Sequence, residues 1–151
     1  LEPSGVMLNA YLREGNPHNL SAREAQTLYT LNRAQYEKEL EQELQNGTIV
    51  IAEDYTGTGI AWGMGAGVEK DYLLQINSAL KKEDLAFWFD GERFLEAKEQ
   101  QHKHESNDEL MNTVRAAHKE LAEDFGWIHI DASQTIEKIH QQLWNIIQEN
   151  Q

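Results

Sequence analysis

The chain has 151 residues, 40% of them hydrophobic and 26% charged, which suits one globular domain able to bury a core without staples. It has no cysteine, which excludes a disulfide scaffold, thiolate metal ligands and a cysteine nucleophile. Against 26 acidic residues stand 13 basic ones, net −13, and this balance argues against nucleic acid and against an acidic membrane surface as partners.

In chain order, the first pattern is a short helix over residues 4–13, stopped by Gly15-Asn16-Pro17. Ser21-Ala22-Arg23-Glu24 reads as a capping box, in which the serine hydroxyl takes an orphan N–H and the glutamate reaches back to the N-cap. A long helix follows to Gln45, with Gly47 placed as its C′ glycine. Three short apolar runs come next, at 48–52, 85–89 and 127–130. Their lack of alternation predicts strands covered on both faces, as in a parallel sheet. Helical patterns lie at 57–66, 69–80, 92–101, 107–125 and 134–149. Strands alternating with helices predict an α/β fold with crossover helices.

Each predicted strand ends in an acid: Glu53-Asp54, Asp90 and Asp131. In open α/β sheets the ligand crevice lies outside the carboxyl ends of the strands, so these acids are expected to gather there. The plainer reading is that Asp90 and Asp131 cap the helices that follow. Of the two adjacent acids at 53 and 54, one is left over after any capping. No run approaches the ~18 apolar residues of a membrane span. The first residues show neither a basic run nor an apolar stretch of the signal-peptide kind, so the cytoplasm is the expected compartment.

Four segments in order carry a resemblance: Glu2-Pro3-Ser4-Gly5; Leu28-Tyr29-Thr30-Leu31-Asn32-Arg33-Ala34-Gln35; Glu53-Asp54-Tyr55-Thr56-Gly57-Thr58-Gly59-Ile60-Ala61-Trp62-Gly63; and Trp127 through Ser133. Their order and spacing resemble thymidylate kinase, a nucleoside monophosphate kinase family of the P-loop fold. The resemblance implies a single α/β domain over 1–151 with three layers, a parallel sheet flanked by helices, and a lid-like segment at about 99–108. It implies ATP-dependent phosphorylation of a nucleoside monophosphate, dTMP, with Mg²⁺, and a homodimer as the expected assembly.

Residue by residue, Tyr29 matches the aromatic that stacks on the base and Arg33 the arginine that contacts its edge. Being four apart on a helix, they share a face, and their chemistry suits the role: a flat ring stacks and a guanidinium fork donates to a carbonyl. Outside the resemblance, a core tyrosine and a solvated helix arginine fit the same pattern. Trp62 matches a tyrosine closing over the sugar, with helix packing as its alternative. Gly59 takes the place of a residue that often bears a polar side chain, so that contact would be lost. Pro3 matches a residue lining the monophosphate pocket, and a simple turn is its alternative. Glu53 matches the strand-end aspartate that helps hold Mg²⁺. Ala132 and Ser133 match the turn lining the adenine of ATP.

The main departure is Asp54, where the family has a phosphate-holding arginine. Arg13 is the local cation expected to substitute. The lid-like segment offers only His102, Lys103 and His104 and no arginine. No Gly-x-x-x-x-Gly-Lys-Ser/Thr occurs in the sequence, so the first strand, the P-loop, the first helix and the second strand are expected to be missing ahead of Leu1, leaving the chain alone inactive. On that expectation, 48–53 and 85–90 flank a gap one strand wide or close up and pair directly. A divergent, non-catalytic nucleotide- or protein-binding relative is the second reading. A Mg²⁺-dependent phosphohydrolase using the strand-end acids is the third.

Overall fold

The computed structural model describes residues 3–91 and 108–150. Helix α1 spans Ser4–Arg13 and α2 spans Ala22–Gln45, both where the sequence pattern puts them. The capping box forms in full: the Ser21 N–H donates to Glu24 Oε2 at 2.8 Å, and the Glu24 N–H donates to Ser21 Oγ at 3.2 Å. At the other end of α2, Gly47 adopts φ +80, the Thr48 N–H reaches Glu43 O at 3.0 Å, and the Gly47 N–H reaches Leu44 O at 3.0 Å. These two bonds are the Schellman pair that a C′ glycine permits.

Helix α3 runs Thr56–Gly65 and α4 runs Lys70–Asn77. Strand β1 is Phe87–Asp90, α5 is Asp108–Phe125, β2 is Ile128–Asp131 and α6 is Ile136–Glu149. The strands pair in parallel, Phe87 opposite Ile128 and Asp90 opposite Asp131, so β1, α5 and β2 make a βαβ unit. This is the α/β element that the alternation predicted. The expected helix at 92–101 and the lid-like segment at 99–108 lie outside the described residues, apart from the first residue of α5.

One expected strand does not form. Residues 48–52 are irregular, and Ile49 and Ile51 are 76% and 92% exposed. A strand needs a neighbour for its N–H and C=O groups, and among the described residues the sheet holds only β1 and β2. The direct pairing of 48–53 with 85–90 is therefore not present among the described residues. The two strands that do form are also less covered than expected: Ile130 is fully buried, but Phe89 is half exposed.

The core sits between helices. Ile60, Ala61, Val68, Leu73, Ala117 and Leu121 form one buried cluster joining α3, α4 and α5. Glycines make the close approach possible. A Cβ at Gly63 would lie 2.6 Å from a Leu73 methyl, and one at Gly65 would lie 2.3 Å from a Val114 methyl. Helix α6 buries none of its residues among those described, and Ile136 and Trp144 on it are exposed. No helix among the described residues is long and apolar enough to cross a membrane.

Candidate functional site at the contact of two helices

The spacing of Tyr29 and Arg33 puts them on one face of α2, and the structure turns that face toward the start of α3. The Arg33 guanidinium lies near two aromatic rings, its Cζ 5.9 Å from the centroid of Tyr29 and 5.9 Å from that of Tyr55. Both are within reach of a cation–π attraction. Its Nη2 donates to Tyr55 O at 2.8 Å and, at a longer 3.4 Å, to Asp54 O. Its Nη1 is buried and finds no hydrogen-bond partner among the described residues. Burial disfavours the charged guanidinium and moves its pKa down, against the opposing pull of Tyr55, Tyr29 and Asp54.

Tyr29 is held in the same environment. Burial pushes its phenol up to about 12; Tyr11 and Asp54 add to that shift, and Arg33 and Arg13 oppose it. Tyr29 is thus a neutral, partly desolvated ring at any physiological pH. Arg13 is exposed at the last turn of α1, and it bears on this site through its charge.

Gly59 lies one turn into α3, directly against the Arg33 guanidinium. A Cβ there would stand 2.8 Å from Nη2 and 2.9 Å from Nη1. Trp62, three residues on, is half-buried on the same helix. Asp54 is exposed and adopts φ +56, a left-handed conformation that a short polar side chain tolerates. Glu53 beside it is exposed. Pro3 is exposed at the turn that leads into α1, in the N-cap position.

Behind this face, α1 is tied to α2 by a polar cluster that the sequence did not single out. The buried Ser4 hydroxyl donates to Gln35 Oε1 and accepts from Asn32 Nδ2 at 2.9 Å. Asn32 and Gln35 flank Arg33 along α2, so Ser4 fixes the helix that carries the candidate base-side residues. Tyr55 was also missed. Its carbonyl accepts from Arg33 and its ring lies within cation–π reach of it, and the sequence signal for it was its place in the segment 53–63 that carries the resemblance.

Of the strand-end acids, Asp90 and Asp131 stand side by side at the carboxyl ends of the paired strands. Among the described residues, no group of three or more His, Cys, Asp and Glu side chains is placed to hold a metal. Asp90 instead accepts from Arg115 on α5, at 3.0 Å from Nε and 2.7 Å from Nη2. Nothing local in the sequence marks that pair, which is 25 residues apart. Asp131 closes its own turn: its Oδ1 accepts from the Ser133 N–H at 2.9 Å and from Ser133 Oγ at 2.6 Å. Those bonds hold the Asp131 pKa below its ordinary value. Asp131 therefore does not cap the helix that follows it: the N-cap of α6 is Thr135, whose hydroxyl accepts from the Lys138 N–H. Asp90 pairs with an arginine.

The turn after β2 therefore has its serine engaged. Ala132 is half-buried against Gly91, where a Cβ would lie 2.9 Å from that of Ala132. As for Mg²⁺, Glu53 supplies a single exposed carboxylate. A lone protein oxygen fits a Mg²⁺ that keeps its waters and draws its other ligands from phosphate oxygens, and it does not fit a metal caged by protein.

A family model described as Thymidylate kinase matches residues 2–143. A thymidylate kinase of Trichodesmium erythraeum (strain IMS101) is 32% identical over 164 aligned positions, covering 97% of this chain and 73% of that protein. One from Dictyostelium discoideum is 25% identical over 146, covering 95% of this chain and 65% of that protein, so the chain spans slightly less than two thirds of its length. One from Halothermothrix orenii is 29% identical, covering 95% and 78%.

Proposed function

The chain belongs to the thymidylate kinase family, and on that premise we propose that it binds dTMP at the contact of α2 and α3 and serves the ATP-dependent phosphorylation of dTMP to dTDP. The observation that carries this reading is the state of Arg33: a guanidinium anchored by Nη2 on the Tyr55 carbonyl, with Nη1 buried and without a partner. A buried N–H without an acceptor costs about 1–3 kcal/mol. A pyrimidine carbonyl supplies the acceptor, and the pyrimidine face suits the neutral Tyr29 ring.

Transfer between phosphates is mostly positioning and charge stabilisation, with little covalent work for the protein. In this reading α2 and α3 hold the base, Trp62 covers the sugar, and Arg13 and Pro3 lie on the phosphate side. The Ala132–Ser133 turn faces the adenine of ATP. Glu53 is the residue to help hold Mg²⁺, which would neutralise phosphate charge. The expected compartment is the cytoplasm and the expected assembly a homodimer.

One observation favours the second reading, a nucleotide- or protein-binding relative without catalysis. Asp54 stands exposed where the family has a phosphate-holding arginine, and like charges repel. Titrating the chain with dTMP while following tryptophan fluorescence tests both readings, followed by a turnover assay with ATP and Mg²⁺. Saturable dTMP binding that tightens in Asp54→Asn supports a monophosphate site. Because this sequence holds no Gly-x-x-x-x-Gly-Lys-Ser/Thr, absence of turnover supports the second reading only in a version of the protein that carries a P-loop. No dTMP binding refutes the first.

A further inference from the structure

We propose that Gly59 is a positioning residue for Arg33: its missing side chain is the slot that receives the guanidinium, and the assignment of Arg33 to the nucleobase in the proposed function rests on that slot.

Helix α3 carries glycines at 57, 59, 63 and 65, and their surroundings differ in kind. A Cβ at 57 would meet the Trp127 ring at 2.3 Å, one at 63 the Leu73 methyls at 2.6 and 2.7 Å, and one at 65 the Val114 methyl at 2.3 Å. Those neighbours are side chains wedged between helices, and moving them disturbs packing. At 59 the three nearest atoms all belong to the Arg33 guanidinium: Nη2 at 2.8 Å, Nη1 at 2.9 Å and Cζ at 3.2 Å. That group is the far end of a long side chain with rotatable bonds, so it yields by swinging away while the helices stay in place. A methyl at 59 thus leaves the fold intact and evicts the guanidinium from its place beside Tyr29 and Tyr55. Alanine also favours the helix interior over glycine, so no loss of stability accompanies the eviction.

The test is Gly59→Ala in the full chain, read three ways. Phenylglyoxal modification of Arg33, mapped by mass spectrometry well below the melting temperature, accelerates about tenfold because a protected guanidinium becomes exposed. The melting temperature does not fall. Affinity for dTMP weakens about tenfold or more, the size of one charged hydrogen bond. Gly63→Ala is the comparison: it lowers the melting temperature and leaves the Arg33 rate near that of the wild type.

An unchanged Arg33 rate in Gly59→Ala overturns the proposal, as does an equal acceleration in Gly63→Ala, which would mean general loosening of α3. Unaltered dTMP affinity in Gly59→Ala overturns it too, provided the wild type binds dTMP. If the wild type does not bind dTMP, the functional reading falls, and the modification rate alone decides the positioning role. Should Gly59→Ala fail to fold, the same substitution is made in Arg33→Ala. Folding restored there identifies the guanidinium as the clashing group, and continued failure overturns the proposal.

Discussion

Replacing Arg33 by methionine separates a structural arginine from a ligand-reading one. The guanidinium makes one good hydrogen bond, Nη2 to Tyr55 O at 2.8 Å, and leaves Nη1 buried without a partner. A hydrogen bond to a charged group contributes about 1.5–3 kcal/mol, and an unsatisfied buried N–H costs about 1–3 kcal/mol. The two nearly cancel. Tyr55 O does not go unpaired in the variant, because the Gly59 N–H also reaches it, at 3.2 Å. Methionine keeps the apolar stem and removes the charge. The unfolding free energy of Arg33→Met, from urea titration, therefore changes by less than about 1 kcal/mol. Affinity for dTMP falls about tenfold or more. A loss of stability of about 3 kcal/mol or more, with dTMP affinity of the folded protein unchanged, would mean that Arg33 is a strut between α2 and α3, and the reasoning would be wrong.

Two further predictions concern the frame that carries the site. The carboxylate of Glu24 is held below its ordinary pKa by the Ser21 hydroxyl and then by the Ser21 N–H. A depressed carboxylate stabilises the fold above its unfolded value and loses that contribution as the pH falls through the folded value. Glu24→Gln therefore flattens the acid side of the stability profile measured by urea titration below pH 4.5, whereas Ser21→Ala costs about 1 kcal/mol at neutral pH. Leu121 is fully buried in the cluster that joins α5 to α3. Leu121→Ala costs about 2–5 kcal/mol by the same measurement, with dTMP affinity of the folded fraction retained.

The helices were legible because their signals are local. The capping box at Ser21 and the glycine at 47 mark the two ends of α2 within a turn of each, and both form as read. The four-residue spacing of Tyr29 and Arg33 fixed a shared face, which is a property of any α-helix. The run at 48–52 misled because β-branched apolar residues state a demand for burial and pairing and do not say whether a partner strand is at hand. Three side-chain arrangements were beyond reach for a different reason. Gly59 against Arg33, Ser4 with Asn32 and Gln35, and Asp90 with Arg115 each join residues far apart in sequence. Only the packing of elements against one another decides such pairs, and no periodicity encodes that packing.

The two sides of the candidate site differ in what holds them, and this orders the assignments. Tyr29, Arg33, Gly59 and Trp62 stand on α2 and α3, which pack against α4 and α5 through glycine contacts and the buried Leu73 and Leu121. Their geometry follows from close-packed helices, which shift as units and keep their side chains in register. Glu53 stands at the end of 48–52, an exposed segment without a ladder among the described residues. Hydrogen bonding to a neighbour is what gives an extended segment its register and its side chains their direction. The direction of the Glu53 carboxylate is therefore not fixed by a ladder, and its proposed part in holding Mg²⁺ depends on the contacts that 48–52 makes. The proposed base side is held by helix packing alone. On the proposed function, a substitution on α2 or α3 reports on nucleotide recognition directly, whereas one at Glu53 reports first on the placement of the segment before it.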